Sequence, residues 1–408
     1  LMELENTEEA ETNYRKAIDL KPDYVDAYNN LANLLKDKGD ILNSLACFKK
    51  IIKLNPNYEP AWFNLFPLLK IIKLQRLSAN DYSFFFDKQL GNEYTQVAKS
   101  ILKYRLNRGN SSTDNFLKEV TSVLSSTKNT FIKNPNFSLA ELTKPTLPKK
   151  ITALFHFARS GTGLLHSLID GHPEISTLPS VYFSEFFDYF TWKKIIAGGW
   201  EDMPDQFASI YDVLFDASSS TPIPDGYNKF ISYMGKKEGL TNVGNDKNEV
   251  LSVDKKVFIK ELKRLMNYFD KLDAITFFKL IHSSFEIALQ NNDKKKHIFY
   301  HIHNPEYYAK LNFLRLTPSA NLMMTVREPL QGCESWIKKS FHENDYKKVA
   351  GRIFTMLFAI DDSIYQDKNS IGVRLEDLKV YPKKTIQALS NWLGITENDS
   401  MYQMTTQG

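Results

Sequence analysis

The 408-residue chain is 42% hydrophobic and 25% charged, the proportions of a globular protein with room for two domains and a linker, which excludes wholesale disorder. Its 52 basic and 48 acidic side chains leave a formal charge of +4, too balanced for a protein that works by neutralising a nucleic-acid backbone, so any anion site is local. Two cysteines, Cys47 and Cys333, exclude a disulfide framework and a cysteine-built metal site.

No window holds the roughly 18 uninterrupted apolar residues of a membrane span. The opening residues, LMELENTEEAE, are polar and acidic, unlike a secretory leader. In a bacterial cell the expected location is the cytoplasm. Leu1 in place of Met reads as the start of a fragment.

The first element is a repeat. Leu20, Pro22, Tyr24, Ala27, Tyr28, Asn30 and Leu31 return as Leu54, Pro56, Tyr58, Ala61, Trp62, Asn64 and Leu65, each 34 residues further on. Ala27, Leu31, Leu34 and Leu35 make one helical stripe, Gly39-Asp40 breaks it, and Leu45, Phe48, Ile51 and Ile52 make the next. The period, with an aromatic early in one helix, small residues at the crossing and Pro at the boundary, resembles the tetratricopeptide repeat. Such repeats bury their stripes by stacking in about threes, and one full unit with two halves predicts an upstream array. A concave surface for a protein or peptide partner and a spacer packed on the next domain are both open readings of so short an array.

Helical periodicity runs to about residue 105, so 1–105 is assigned to the repeat region and 106–148 to a linker punctuated by Pro145 and Pro148. Residues 149–408 form the second domain. It opens with Ile151 to Phe157 as a buried strand, then Ala158-Arg159-Ser160-Gly161-Thr162-Gly163, then a helix striped by Leu164, Leu165, Leu168 and Ile169 and stopped by Gly171 and Pro173. A glycine turn between strand and helix points N–H groups at the positive end of the helix, where an anion is favoured. Arg159 adds a charge, and Ser160 and Thr162 add hydroxyls. GxxxxGK[ST] and GxGxxG are both absent, which argues against a nucleoside triphosphatase and a dinucleotide fold.

A second run, Asn321 to Val326, ends in Arg327-Glu328-Pro329 and leads to a helix carrying Ser335. Arg327 at a strand end and Ser335 two turns into the next helix are placed to share one phosphate at the carboxyl edge of a parallel sheet. Taken alone, Arg327 paired with Glu328 explains the same residues.

FARSGTGLLHSLIDGHPEI resembles the 5′-phosphosulfate loop of sulfotransferases, particularly the tyrosylprotein and carbohydrate branches, and TVREPLQGCESW is similar to their 3′-phosphate motif. VRLEDLKVYPKKTIQALSNWLGI looks like the Glu-Asp-Leu element that follows in the same order. The resemblance implies a P-loop-like three-layer α/β/α domain with a mostly parallel sheet, from strands near 151–157, 297–302, 321–326 and 371–376, preceded by the all-α repeat. It implies 3′-phosphoadenosine 5′-phosphosulfate (PAPS) as donor, no metal, and transfer of the sulfuryl group to a protein tyrosine or glycan hydroxyl. Arg159, Ser160, Gly161, Thr162, Gly163 and Leu164 would take the phosphosulfate, and Arg327 and Ser335 the 3′-phosphate.

The base is less determined. Relatives often carry a Glu about twenty residues after the loop Arg, where this chain has Pro179-Ser180. Glu185, on a helix following Pro179, would reach the same cleft with aromatics raising its pKa. His303, in YHIHNPEYY, competes as base or as a cation near the sulfuryl group. His156 and His166 read as hydrogen-bonded packing residues, and His301 with His303 lacks a third ligand for a metal. The opposing reading is a non-catalytic scaffold whose repeat binds a partner beside a vestigial nucleotide pocket.

Overall fold

The computed structural model describes residues 7–74, 83–86, 91, 93–106, 131–138, 144–155, 160–179, 183–219, 240–244, 246–291, 293–302, 307–328, 330–332, 334–335 and 369–405. The chain divides into two compact units, Leu1–Asn129 and Thr130–Gly408.

The first unit is helical: α1 (Thr7–Leu20), α2 (Val25–Asp37), α3 (Ile41–Leu54), α4 (Glu59–Leu74) and α5 (Glu93–Leu106). Gly39 takes the left-handed turn between α2 and α3 at φ +85, a conformation that costs a side-chain-bearing residue about 1 kcal/mol or more. The Asp40 carboxylate then accepts the Asn43 N–H at the head of α3, leaving fewer orphan donors there. Both stripes expected from the sequence are buried, with Leu31, Leu34 and Leu35 on α2 and Leu45, Phe48, Ile51 and Ile52 on α3. Small side chains let the helices approach: Ala32 and Ser44 are fully buried, and Ser44 Oγ donates to the Ala32 carbonyl at 2.7 Å. Successive repeats are tied by Tyr58 Oη, which donates to Asp26 Oδ1 at 2.5 Å. Leu20 and Leu54, which recur in register, are exposed by 80% and 38%; they end their helices just before the prolines, beyond the stacked stripes.

The second unit begins upstream of the expected boundary. β1 (Ile132–Lys133), within the stretch assigned as linker, pairs antiparallel with β4 (Lys271–Leu272). The main sheet has five strands, β2 (Lys150–Phe155), β3 (Ile175–Ser176), β5 (His297–Ile302), β6 (Asn321–Val326) and β7 (Ser370–Arg374), in the order β3-β5-β2-β6-β7. All its pairings are parallel. Among the described residues the unit's helices include α6 (Thr162–Ile169), α7 (Tyr189–Ile196), α8 (Met203–Ile210), α9 (Lys255–Met266), α10 (Ala274–Ala288), α11 (Tyr307–Leu316), α12 (Leu375–Val380) and α13 (Pro382–Leu393). Strand β7 stops at Arg374 rather than continuing to 376, because Leu375-Glu376 opens α12.

Parallel strands covered on both faces are apolar throughout, and alternation assigns each side chain to one layer. Leu154, Phe299, Met323 and Val373 share a core with α6, α12, α13 and Met401. Ala153, Phe155, Ile298, Tyr300, Ile302 and Leu322 face the other way, into a larger, aromatic core with α7 to α11. The domain is therefore a parallel sheet between two helical layers, as the sequence implied. Among the described residues no helix is long and apolar enough to cross a membrane.

Two histidines are held neutral inside this unit. His282 on α10 is fully buried, with Nδ1 3.0 Å from Ser176 Oγ, and burial pushes its pKa down to about 3. His297 at the start of β5 lies with Nε2 2.8 Å from Thr152 Oγ1; burial, then the nearby Lys150 charge, push it to about 4. The unfolded chain protonates both near pH 6.5, so it binds protons the fold refuses. Stability is thus full above about pH 6.5 and falls as pH drops toward 4 and then 3, by up to about 1.4 kcal/mol per pH unit for each histidine. Urea unfolding at pH 7, 6 and 5 measures that slope, and His282→Gln should reduce it by up to about 1.4 kcal/mol per pH unit.

Candidate functional site

Strand order places β2 at the point where connections turn to opposite sides: the chain leaves it toward β3 and later crosses from β5 to β6 on its other flank. The crevice beyond the carboxyl ends of such strands is where open α/β sheets bind ligands. Phe155 pairs with Met324, so the loop after β2 and the end of β6 lie side by side at that edge.

The turn into α6 is made by Gly161, at φ +87 and ψ 21. A Cβ on Gly161 would come within 2.4 Å of Leu375 Cδ1, so both backbone conformation and space select glycine here. The Leu165 N–H donates to the Gly161 carbonyl and starts the helix. The N–H groups of Thr162, Gly163 and Leu164 fall in the first turn, which has no intrahelical acceptor for them. Gly163 is exposed, and a Cβ there would meet nothing within 4 Å. The turn is open on that side, at the positive end of α6.

The two loop hydroxyls, expected to face an anion, point inward. Ser160, Thr162 and Thr325 are 0%, 3% and 1% exposed. Thr325 Oγ1 lies 2.8 Å from both Ser160 Oγ and Thr162 Oγ1, and the two loop hydroxyls are 3.3 Å apart. The loop is thereby fastened to β6 two residues before Arg327.

Arg327 follows β6 directly and is partly exposed. The Glu328 carboxylate accepts the Gln331 N–H at 2.7 Å, capping a helical stretch over residues 330–332 and 334–335 that carries Ser335. The Glu328 N–H donates to Glu376 Oε1 at 3.1 Å. That bond, joined by the charges of Arg374 and Arg327, holds the Glu376 carboxyl below the usual glutamate range. The head of α12 thus touches both halves of the edge, Leu375 over Gly161 and Glu376 on the backbone after Arg327. Lys310 on α11 is buried, its ammonium 4.9 Å from the ring centre of Phe155, the last residue of β2.

Glu185 is not on a helix. It lies in the turn over 183–188, ahead of α7, and is 5% exposed. Phe183, Phe186 and Phe187 around it are fully or almost fully buried in the aromatic core. The Glu185 charge reaches the phenols of Tyr211 and Tyr300, both pushed well up, chiefly by burial. The aromatic run that was expected to shield Glu185 from one side has drawn the whole turn into the core. His166 on α6 meets His301 of β5 edge to face, ring centres 5.4 Å apart, and burial lowers its pKa, which suits the packing role expected of it. Arg159, His156 and His303 lie outside the described residues.

The structure therefore brings together Ser160, Gly161, Thr162, Gly163, Leu164 and Arg327, with Ser335 in the following helical stretch. Sequence reasoning gave no part to Thr325, Leu375 and Lys310, and took Glu376 only as a member of the Glu-Asp-Leu element. Thr325 left one signal, a lone hydroxyl in the apolar run NLMMTV two positions before an arginine.

Residues 1–39 match the family described as TPR repeat, and residues 25–58 the family described as tetratricopeptide repeat; the N-terminal segment is a tetratricopeptide segment. No curated protein matches the chain. Among solved structures it is similar to a sulfotransferase domain from the curacin biosynthetic pathway, at 15% identity and TM-score 0.35 over 64% of this chain and 79% of that one. It is also similar to the sulfotransferase STF9 from Mycobacterium avium, at 10% identity and TM-score 0.31 over 78% of this chain and 80% of that one.

Gly161→Ala is expected to destabilise the second unit by about 1–3 kcal/mol, through the left-handed backbone and the contact with Leu375. Leu375→Ala opens that space, so urea unfolding of the double variant should show a loss smaller than the sum of the two single losses.

Proposed function

We propose that the α/β unit is a sulfotransferase that takes the sulfuryl group from PAPS and passes it to a hydroxyl, on a protein tyrosine or a glycan. The observation that carries this reading is the open glycine turn at the head of α6 lying beside the strand that ends in Arg327. Two anion-binding elements at neighbouring strand ends suit a donor with separate 5′ and 3′ phosphate groups. Their order in the chain, with the Glu-Asp-Leu element third, is the order of the motifs the sequence resembles.

In this reading the N–H groups of the α6 turn, with Arg159, receive the 5′-phosphosulfate, while Arg327 and Ser335 hold the 3′-phosphate. The acceptor oxygen forms a bond to sulfur as the bond from sulfur to the bridging oxygen breaks. The acceptor proton goes to a base, Glu185 or His303, and the departing phosphate keeps the electron pair. Fixed N–H dipoles and a guanidinium aimed at that oxygen lower the barrier because their orientation is set before reaction. The tetratricopeptide segment is then a surface for a protein partner or protein acceptor.

A second reading, a scaffold that binds the nucleotide without turnover, is favoured by the placement of Glu185 within the aromatic core. Calorimetric titration with 3′-phosphoadenosine 5′-phosphate, without added metal, tests the donor site. The bisphosphate should bind more tightly than ATP, and Arg327→Ala or Ser335→Ala should weaken it by about tenfold or more, as expected for loss of a charge-assisted hydrogen bond of ~1.5–3 kcal/mol. Sulfate transfer that disappears in Glu185→Gln or His303→Ala assigns the base; donor binding with no transfer to phenolic or sugar acceptors supports the scaffold.

A further inference from the structure

We infer that Thr325 is a positioning residue of the donor site: its hydroxyl sets the loop at 160–164 in register with the end of β6, so that the N–H groups of the α6 turn and Arg327 meet one ligand. The inference rests on the donor-site reading. It follows from a count of protons. A hydroxyl has one proton to give and two lone pairs to receive with. Thr325 Oγ1 lies 2.8 Å from Ser160 Oγ and from Thr162 Oγ1, so it bonds to both, either donating to one and accepting from the other or accepting from both. It is the only one of the three that stands on the sheet, and it is 1% exposed. Buried hydroxyl groups stay paired because an unpaired one costs the full price of its lost hydration.

Two further contacts make the loop depend on this anchor. Gly161 has no side chain with which to fix its left-handed turn, and Gly163 faces open space. The two hydroxyl side chains of the 160–164 segment, Ser160 and Thr162, are the ones that bond to Thr325. Arg327 comes two residues later, directly after the strand ends at Val326, so one short stretch of backbone carries both the anchor of the loop and the cation of the second anion element. Thr325 does not touch the ligand in this arrangement; it acts through the loop.

The test is calorimetric titration of the full chain with 3′-phosphoadenosine 5′-phosphate, for wild type, Thr325→Val, Thr325→Ser and Thr162→Val, with thermal melting of each. Thr325→Val keeps the shape and removes the hydroxyl, and is expected to weaken binding about tenfold or more, a loss of about 1.4 kcal/mol. Thr325→Ser should restore affinity to within about threefold, which a purely space-filling role would not allow. The double variant Thr325→Val with Thr162→Val should lose less than the product of the two separate losses, since each single variant already removes the same Thr325–Thr162 bond. If Thr325→Val does not fold, Thr325→Ser against Thr325→Ala, which differ by one oxygen, gives the same comparison. Wild type that binds while Thr325→Val binds equally well, or losses that multiply independently, overturns the inference and leaves the donor site standing. Wild type that fails to bind the bisphosphate overturns the donor-site reading, and this inference with it.

Discussion

The turn at Gly161 exists because that residue has no Cβ. Its backbone sits in the left-handed region, and the space a side chain would need is filled by Leu375. From that one constraint the rest of the edge follows. With the backbone turned there, α6 starts beside the end of β2, its first amides face outward, and the flanking hydroxyls of Ser160 and Thr162 reach Thr325. Leu375 can close over the turn because β7 ends one residue earlier, and Glu376 next to it reaches the backbone beyond Arg327. Three strand ends are thus joined by one apolar contact and a handful of hydrogen bonds.

The two faces of the sheet divide the labour. The layer of α6, α12 and α13 supplies the groups that fix the edge at the head of α6. The opposite layer holds the large aromatic core, where Phe183, Phe186, Phe187, Phe278 and Tyr300 pack ring against ring. On that side Tyr300 ties the turn at 183–188 to the sheet, since it stands on β5 and its hydroxyl donates toward the carbonyls of Phe183 and Ser184. The turn bearing Glu185 is therefore held by a strand whose neighbour carries the loop, and movement of one is resisted by the other.

Much of this was legible in the amino-acid order, for reasons that can be named. The runs at 151–155, 297–302 and 321–326 announce themselves because strands covered on both faces cannot afford polar residues. The 34-residue repeat shows because each helix pair buries the same positions. Arg327 and the glycine turn stand out as charge and conformational freedom at the ends of apolar runs. What stayed hidden depends on neighbours distant in the chain. Nothing local tells Thr325 that Ser160 and Thr162 will lie across from it, or Leu375 that it will fill the place of a missing Cβ. Glu185 was assigned to a helix on its spacing from Pro179, but the phenylalanines beside it gain more by entering the core than a helix there would gain, and they take the carboxylate inward. The two residues of β3 are too few to leave a periodic signal.

The position of β2 has a consequence for how the chain comes into being. It lies at the centre of the sheet, yet both its partners, β5 and β6, are drawn from residues 297–302 and 321–326. During synthesis, at about 5–20 residues per second, the segment KITALF waits on the order of ten seconds before either partner exists. The helix pairs of the first unit make their contacts between near neighbours and are free to fold as they emerge. For that interval the apolar side chains Ile151, Ala153, Leu154 and Phe155 of the central strand stand uncovered, in the kind of segment that pairs with copies of itself. The lysines at 149 and 150, immediately before its apolar residues and both exposed, are the charges that stand guard over it until its partners arrive.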